Sequence, residues 1–278
     1  MYGRARRTVG LTLIEMVLVV ATVALMVGFA APAMRALVNS FQSEGGAVSM
    51  VNAALSSART MAVSRQRYVG VRFQKLCVSN DSADPLKGLM DAPQYMIFIV
   101  HEEKKNNGDV ADGFRAMEGL EPIKLPTTMG LMDLSMVKSD ADIDELFELS
   151  NATTFSIVFG PSGGLVVRNV RVRNRDGVNR PANGLVPPSE STDDIFNVAD
   201  TICRRKRGMF IQDDYPPRDS VQALGLGEES SCVSFVIYEL PRLRAVYDRK
   251  TAWTDYLSRL AAKAFYVSPH TGNLISSN

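Results

Sequence analysis

Histidine and cysteine are scarce in this chain, two of one and three of the other among 278 residues. The histidines (His101, His270) and the cysteines (Cys77, Cys203, Cys232) form no cluster with zinc-ligand spacing, so no metal is expected. Three cysteines are also too few for a disulfide-dense scaffold. Outside the cytoplasm Cys203 and Cys232 would be able to pair, leaving Cys77 free. That bridge would stabilise by roughly 3–4 kcal/mol through loop entropy; independent thiols are the alternative. An excess of charge of one sign is missing too. The 31 Lys and Arg stand against 30 Asp and Glu, which leaves no nucleic-acid footprint and no expected nucleic-acid partner. The run Arg204 to Arg207 reads as a solvated loop. Walker loops, dinucleotide fingerprints and internal repeats are absent, and no cofactor is expected.

What is present is a long apolar run. From Leu11 to Ala31, 21 residues carry one charge, Glu15. At 1.5 Å per residue a helix of that length spans about 31 Å, close to a bilayer's hydrocarbon thickness. Arg4, Arg6 and Arg7 precede it, which places the N-terminus in the cytoplasm and the remainder outside. A cleaved secretory signal would have a shorter apolar core followed by a small-residue cut site. Here the chain continues in a helical pattern instead. Met34, Leu37, Phe41, Val48, Val51, Leu55, Ala58 and Ala62 fall at steps of three and four, with one gap at Glu44. The expectation is an amphipathic helix over 32–66, kinked by Pro32 and weakened at Gly45-Gly46.

The stretch "RRTVGLTLIEM" resembles the N-terminus of type IV prepilins and pseudopilins. The likeness rests on a basic leader, then Gly10, Leu11, Thr12, Leu13, Ile14 and Glu15, then the apolar helix with Pro32. Leu11 stands where phenylalanine is commoner. Within the family, "AALSSARTMAVSRQRYVGVRF", "FSIVFGPSGGLV" and "AFYVSPHTGNLI" are similar to segments of the H-type minor pseudopilin and FimT-like group. The resemblance implies a leader at 1–10, a transmembrane helix at 11–31, its amphipathic continuation at 32–66 and an exported domain at 67–278. It implies cleavage between Gly10 and Leu11 by a prepilin peptidase, with N-methylation of Leu11. It implies residence in the bacterial inner membrane and its lipid, then passage through an inner-membrane assembly platform into a pilus or pseudopilus. Glu15 would meet the N-terminal amine of a neighbouring pilin subunit.

The expected fold is α+β, a long N-terminal helix packed on an antiparallel sheet. Strands are expected at Tyr68 to Phe73, Tyr95 to Val100, Phe155 to Phe159, Leu165 to Arg173, Cys232 to Leu240 and Phe265 to Ser268. In the fourth, Val170 and Val172 would face inward and Arg171 and Arg173 outward. Asp140 to Leu149 reads as a helix capped by Ser139 and Asp142, and Pro241 opens a helix to about Lys263.

Three features imitate sites. Gly160 to Gly164 matches G-x-S-x-G, with Ser162 followed along the chain by acids and then His270. A nucleophile elbow needs a helix after the turn, whereas a strand is expected here, so the glycines read as a turn. Asp140, Asp142 and Asp144 imitate the start of an EF-hand loop, but Glu145 and Asn151 occupy positions that need glycine and glutamate. The three acids read instead as the N-terminal acids of a helix, complementing its dipole, with another calcium geometry, for example at Asp213-Asp214, as the alternative. The leading expectation is a non-enzymatic structural subunit of a type IV pilus or type II secretion pseudopilus. The alternatives are a membrane-anchored exported serine hydrolase and an anchored exported binding domain that never enters a filament.

Overall fold

The computed structural model describes residues 13–26, 44–79, 84, 86–102, 113–117, 119–139, 143–170, 172–173 and 229–277. Gly10, Leu11, Pro32, Asp140, Asp142, Cys203 and Asp213-Asp214 lie outside them. The chain is mixed α and β with antiparallel sheets. Residues 13–26 are helical (α1). Among the described residues no helix is long and apolar enough to cross a membrane. The expected span 11–31 runs past α1 at both ends.

Glu44–Arg65 forms α2. Its buried residues, Ala47, Val51, Ala54, Leu55, Ala58 and Ala62, recur at the helical period and make one face. Most are alanine, so the helix lies close on its sheet. Gly45 and Gly46 fall in the first turn, where a glycine weakens a helix less than in mid-course. The helix ends as Gln66 takes a left-handed φ of 52°.

The sheet beneath it is centred on β1 (Val69–Lys75), between β2 (Gln94–Glu102) and β6 (Phe155–Phe159), both antiparallel to it. Val71 stands opposite Phe98 on one side and Ile157 on the other. β3 (Gly113–Ala116) lies outside β2, and β9 (Val172–Arg173) runs parallel to β3. β4 (Ile123–Lys124) also pairs with β2, and β7 (Leu165–Val166) pairs outside β6. Alternation sends Val69, Val71 and Phe73 toward α2. The opposite face carries Ile97, Ile99, Phe114 and Val158, and with them the buried guanidinium of Arg72. Its Nε donates to Gln74 Oε1 at 2.8 Å, as a buried charge requires.

A second sheet has the order β13 (Leu274–Ser276), β12 (Phe265–Val267), β11 (Ser234–Glu239), β5 (Met129–Asp133). Leu131, Phe235 and Ile237 join the core under α2. Met132, Val236 and Tyr238 face a separate core. That core is covered by α3 (Leu134–Ser139), α4 (Leu146–Thr153), α5 (Leu240–Tyr247) and a π-turn at Trp253–Leu257 that leads into α6 (Ser258–Ala261). Gln94 joins the two sheets. Its buried amide accepts from Leu131 N–H at 2.7 Å and donates to the carbonyls of Leu131 at 3.0 Å and Thr153 at 2.7 Å. One side chain thus supplies the bonds that a neighbouring strand would otherwise make. Gly130 sits opposite Tyr238 in the β5–β11 register, and a Cβ there would run into the phenol ring.

Several expected elements differ. The strand Leu165 to Arg173 is divided: β7 pairs with β6, β8 (Asn169–Val170) with β10 (Glu229–Ser230), and β9 with β3. The helix expected over Asp140 to Leu149 begins only at Leu146. Glu148 reaches back and accepts from the backbone N–H of Asp144 and Glu145, each at 3.0 Å. That carboxylate caps α4 where Ser139 and Asp142 were expected to, and Ser139 instead ends α3. The helix from Pro241 stops at Tyr247. Lys250 takes φ 56°, its N–H donates to Tyr247 O, and Thr251 N–H donates to Val246 O. This 5→2 and 6→1 pair is a Schellman ending built on lysine rather than glycine.

Candidate functional site

The most unusual surface is α1. A helix that is apolar around its whole circumference belongs in a membrane or a protein core. Leu13, Ile14, Val17, Leu18, Val20 and Met26 are all more than half exposed, and no residue of α1 is buried. Contiguous apolar surface of this kind marks an interaction or membrane site. Its one hydroxyl is satisfied internally: Thr22 Oγ1 donates to Leu18 O at 3.0 Å and lies 2.9 Å from Val19 O. That bond lets a threonine sit in surroundings without water. Glu15 lies in the first described turn of α1 and is exposed.

At the other end of the described N-terminal region, Arg59 on α2 fastens two turns. Its Nε donates to Gly163 O at 2.8 Å and its Nη2 to His270 O at 3.0 Å. Leu165 N–H also donates to Pro269 O at 2.9 Å. The G-x-S-x-G stretch is therefore a strand–turn–strand, β6 to β7, with Gly163 at φ 78° and Gly160 O accepting from Gly163 N–H. The turns of Ser162 and His270 are neighbours, yet no hydrogen bond joins the two side chains among the described residues, and both are exposed. What binds the turns is backbone carbonyl to guanidinium, an arrangement that fixes the two loops against α2.

Cys232 is buried just before β11. No group of three or more His, Cys, Asp or Glu suited to a metal occurs among the described residues. Asp144, the described member of the EF-hand imitation, pairs with Lys250 at 3.2 Å.

Among the described residues the sequence did not single out one strongly desolvated cation. Lys75, at the end of β1, is 5% exposed. Its Nζ donates to the carbonyls of Leu89, Met90 and Ala92, each at 3.0 Å. Burial pushes the ammonium down to about 8, against the pull of Asp91. Asp91 in turn forms an ion pair with Arg244 of α5. Burial also raises the Tyr238 and Tyr256 phenols. The Tyr256 hydroxyl accepts from Glu239 N–H at 2.7 Å. These groups hold a loop, a strand and a helix together. No family model, curated protein or solved structure matches this chain.

Proposed function

We propose that this chain is a minor pilin or pseudopilin, a structural subunit of a type IV pilus or type II secretion pseudopilus. The observation that carries the reading is α1, apolar apart from Glu15 and Thr22 and exposed, preceded in the sequence by the arginine leader, Gly10 and Leu11. Such a helix is stable where lipid or other apolar helices surround it. The pilin-like architecture, a long N-terminal helix whose second half lies on an antiparallel sheet, is consistent with the alanine face of α2 on β1 and β6.

In this reading prepilin peptidase cuts between Gly10 and Leu11 and methylates the new amine. The domain faces the periplasm, and the assembly platform moves the subunit from the inner membrane into the filament. Glu15 then sets axial register. A buried carboxylate in a dry bundle needs a positive partner, and Leu11 of a neighbouring subunit supplies an amine. Glu15→Leu is expected to insert and be cleaved like the wild type but to lose crosslinks to other pilin subunits. Processed protein in membranes is compared with crosslinked species from the same cells. Wild-type crosslinking in Glu15→Leu would remove the pairing role.

A further inference from the structure

The link from β1 to β2 ends in a turn over 86–92. Leu86, Leu89 and Met90 of this turn are buried and belong to the separate core of the second sheet. The turn closes on its own backbone. Leu89 N–H donates to Leu86 O at 3.0 Å, Asp91 N–H to Gly88 O at 3.2 Å and Ala92 N–H to Leu89 O at 3.1 Å. Gly88 permits this path with a φ of 81°, and a Cβ there would meet Val78 at 2.9 Å. The result is that three carbonyls, those of Leu89, Met90 and Ala92, converge on one point. The Lys75 ammonium, brought from the end of β1, occupies that point.

Converging main-chain carbonyls are the donor set of a cation site. A hard divalent ion asks for more than this turn offers: calcium takes about 6–8 oxygens, carboxylates among them, at about 2.3–2.6 Å. Here the oxygens are neutral and each lies 3.0 Å from the charge. The acid of the turn, Asp91, is exposed and is held by Arg244 of α5, so it is not spent on the buried ion. A primary ammonium has three N–H donors and matches the three acceptors one to one. At about pH 7 Lys75 carries its proton, since burial lowers it only to about 8.

We propose that the 86–92 turn is a binding site for a primary ammonium ion, occupied in cis by Lys75, and that the turn keeps its fold only while such an ion fills it. The ion is tethered to the first sheet, and the turn that binds it places its side chains in the core of the second. One buried charge therefore couples the two sheets at the start of β2. The inference does not rest on the filament reading.

The test empties the site and refills it, in full-length protein in detergent at about pH 7. Lys75→Ala removes the part of the side chain that n-propylammonium replaces. Amide exchange at Leu89, Asp91 and Ala92 is expected to rise at least about tenfold in this variant, with β6 still protected. Added n-propylammonium chloride is expected to restore protection along a saturating curve. Two controls at the same concentration are expected to leave exchange fast: n-propanol, which fills the space without charge, and tetramethylammonium chloride, which has charge but no N–H. Lys75→Met fills the space with an apolar stem, so its turn should exchange as fast and should not respond to n-propylammonium. The wild type, with its site filled, should not respond either. Wild-type protection of the turn in Lys75→Met would overturn the proposal, and that arm holds whether or not Lys75→Ala folds. Folded Lys75→Ala that n-propylammonium fails to rescue, or that n-propanol rescues equally well, would overturn it too.

Discussion

Lys75→Met should change how stability depends on pH more distinctively than it changes stability itself. Methionine keeps the unbranched stem and removes the ammonium that three carbonyls share. Two effects then oppose one another at neutral pH. Each carbonyl left without a donor costs about 1–3 kcal/mol. Against this, a lysine held near 8 instead of 10.5 costs the folded state about 3 kcal/mol for burying its charge, and methionine escapes that cost. The pH dependence does not suffer this cancellation. Between about 8 and 10.5 the unfolded chain binds the Lys75 proton and the folded chain does not, so wild-type stability gains from this group as pH rises. The raised phenols of Tyr238 and Tyr256 act with the opposite sign, but only above the ordinary tyrosine value of 10.0. From pH 7 to pH 10 the wild type should therefore gain about 2–3 kcal/mol relative to Lys75→Met. Urea unfolding followed through Trp253, the single tryptophan, on full-length protein in detergent measures the difference at each pH. Parallel curves for the two proteins across that range would refute the reading of Lys75 as a desolvated ammonium.

Gly130→Ala should lower stability by about 1–3 kcal/mol, because its methyl group meets the fully buried Tyr238 ring across the β5–β11 pair. Thermal unfolding reads the loss, and Tyr238→Leu in the same chain should return part of it. Ser162→Ala should leave unfolding and any filament phenotype nearly unchanged, since the hydroxyl lies exposed in a turn held by Arg59; loss of an esterase or peptidase activity in that variant would favour the hydrolase. A bulky residue in place of Gly10 should keep the leader attached, which an immunoblot of membrane protein distinguishes by size.

Periodicity made the α-helical face of α2 legible, and strand composition located β6 at the bounds read from the sequence, Phe155–Phe159. β1, β2, β11 and β12 were found with shifts of a residue or two at their ends. The misses have physical causes. β5 reads "MGLMD", with none of the β-branched residues that signal a strand, and it is a strand because both its faces are buried and Gly130 leaves room for Tyr238. The end of α5 lacked the usual glycine, because a lysine takes the left-handed position. The division of 165–173 follows from three different partners, none of them near in sequence except β6. Lys75 and Gln94 carry no local pattern at all; their importance lies in carbonyls and amides brought to them by distant turns. The Gly10, Leu11 and Glu15 motif, by contrast, is local, and its chemistry is read from adjacent residues.

The most direct measurement of the central claim is the N-terminal mass spectrum of the protein isolated from its membranes. The account predicts a chain that begins at Leu11 with a methylated amine and retains α1. A chain that begins at Met1, or after a later small residue such as Ala31, would contradict it.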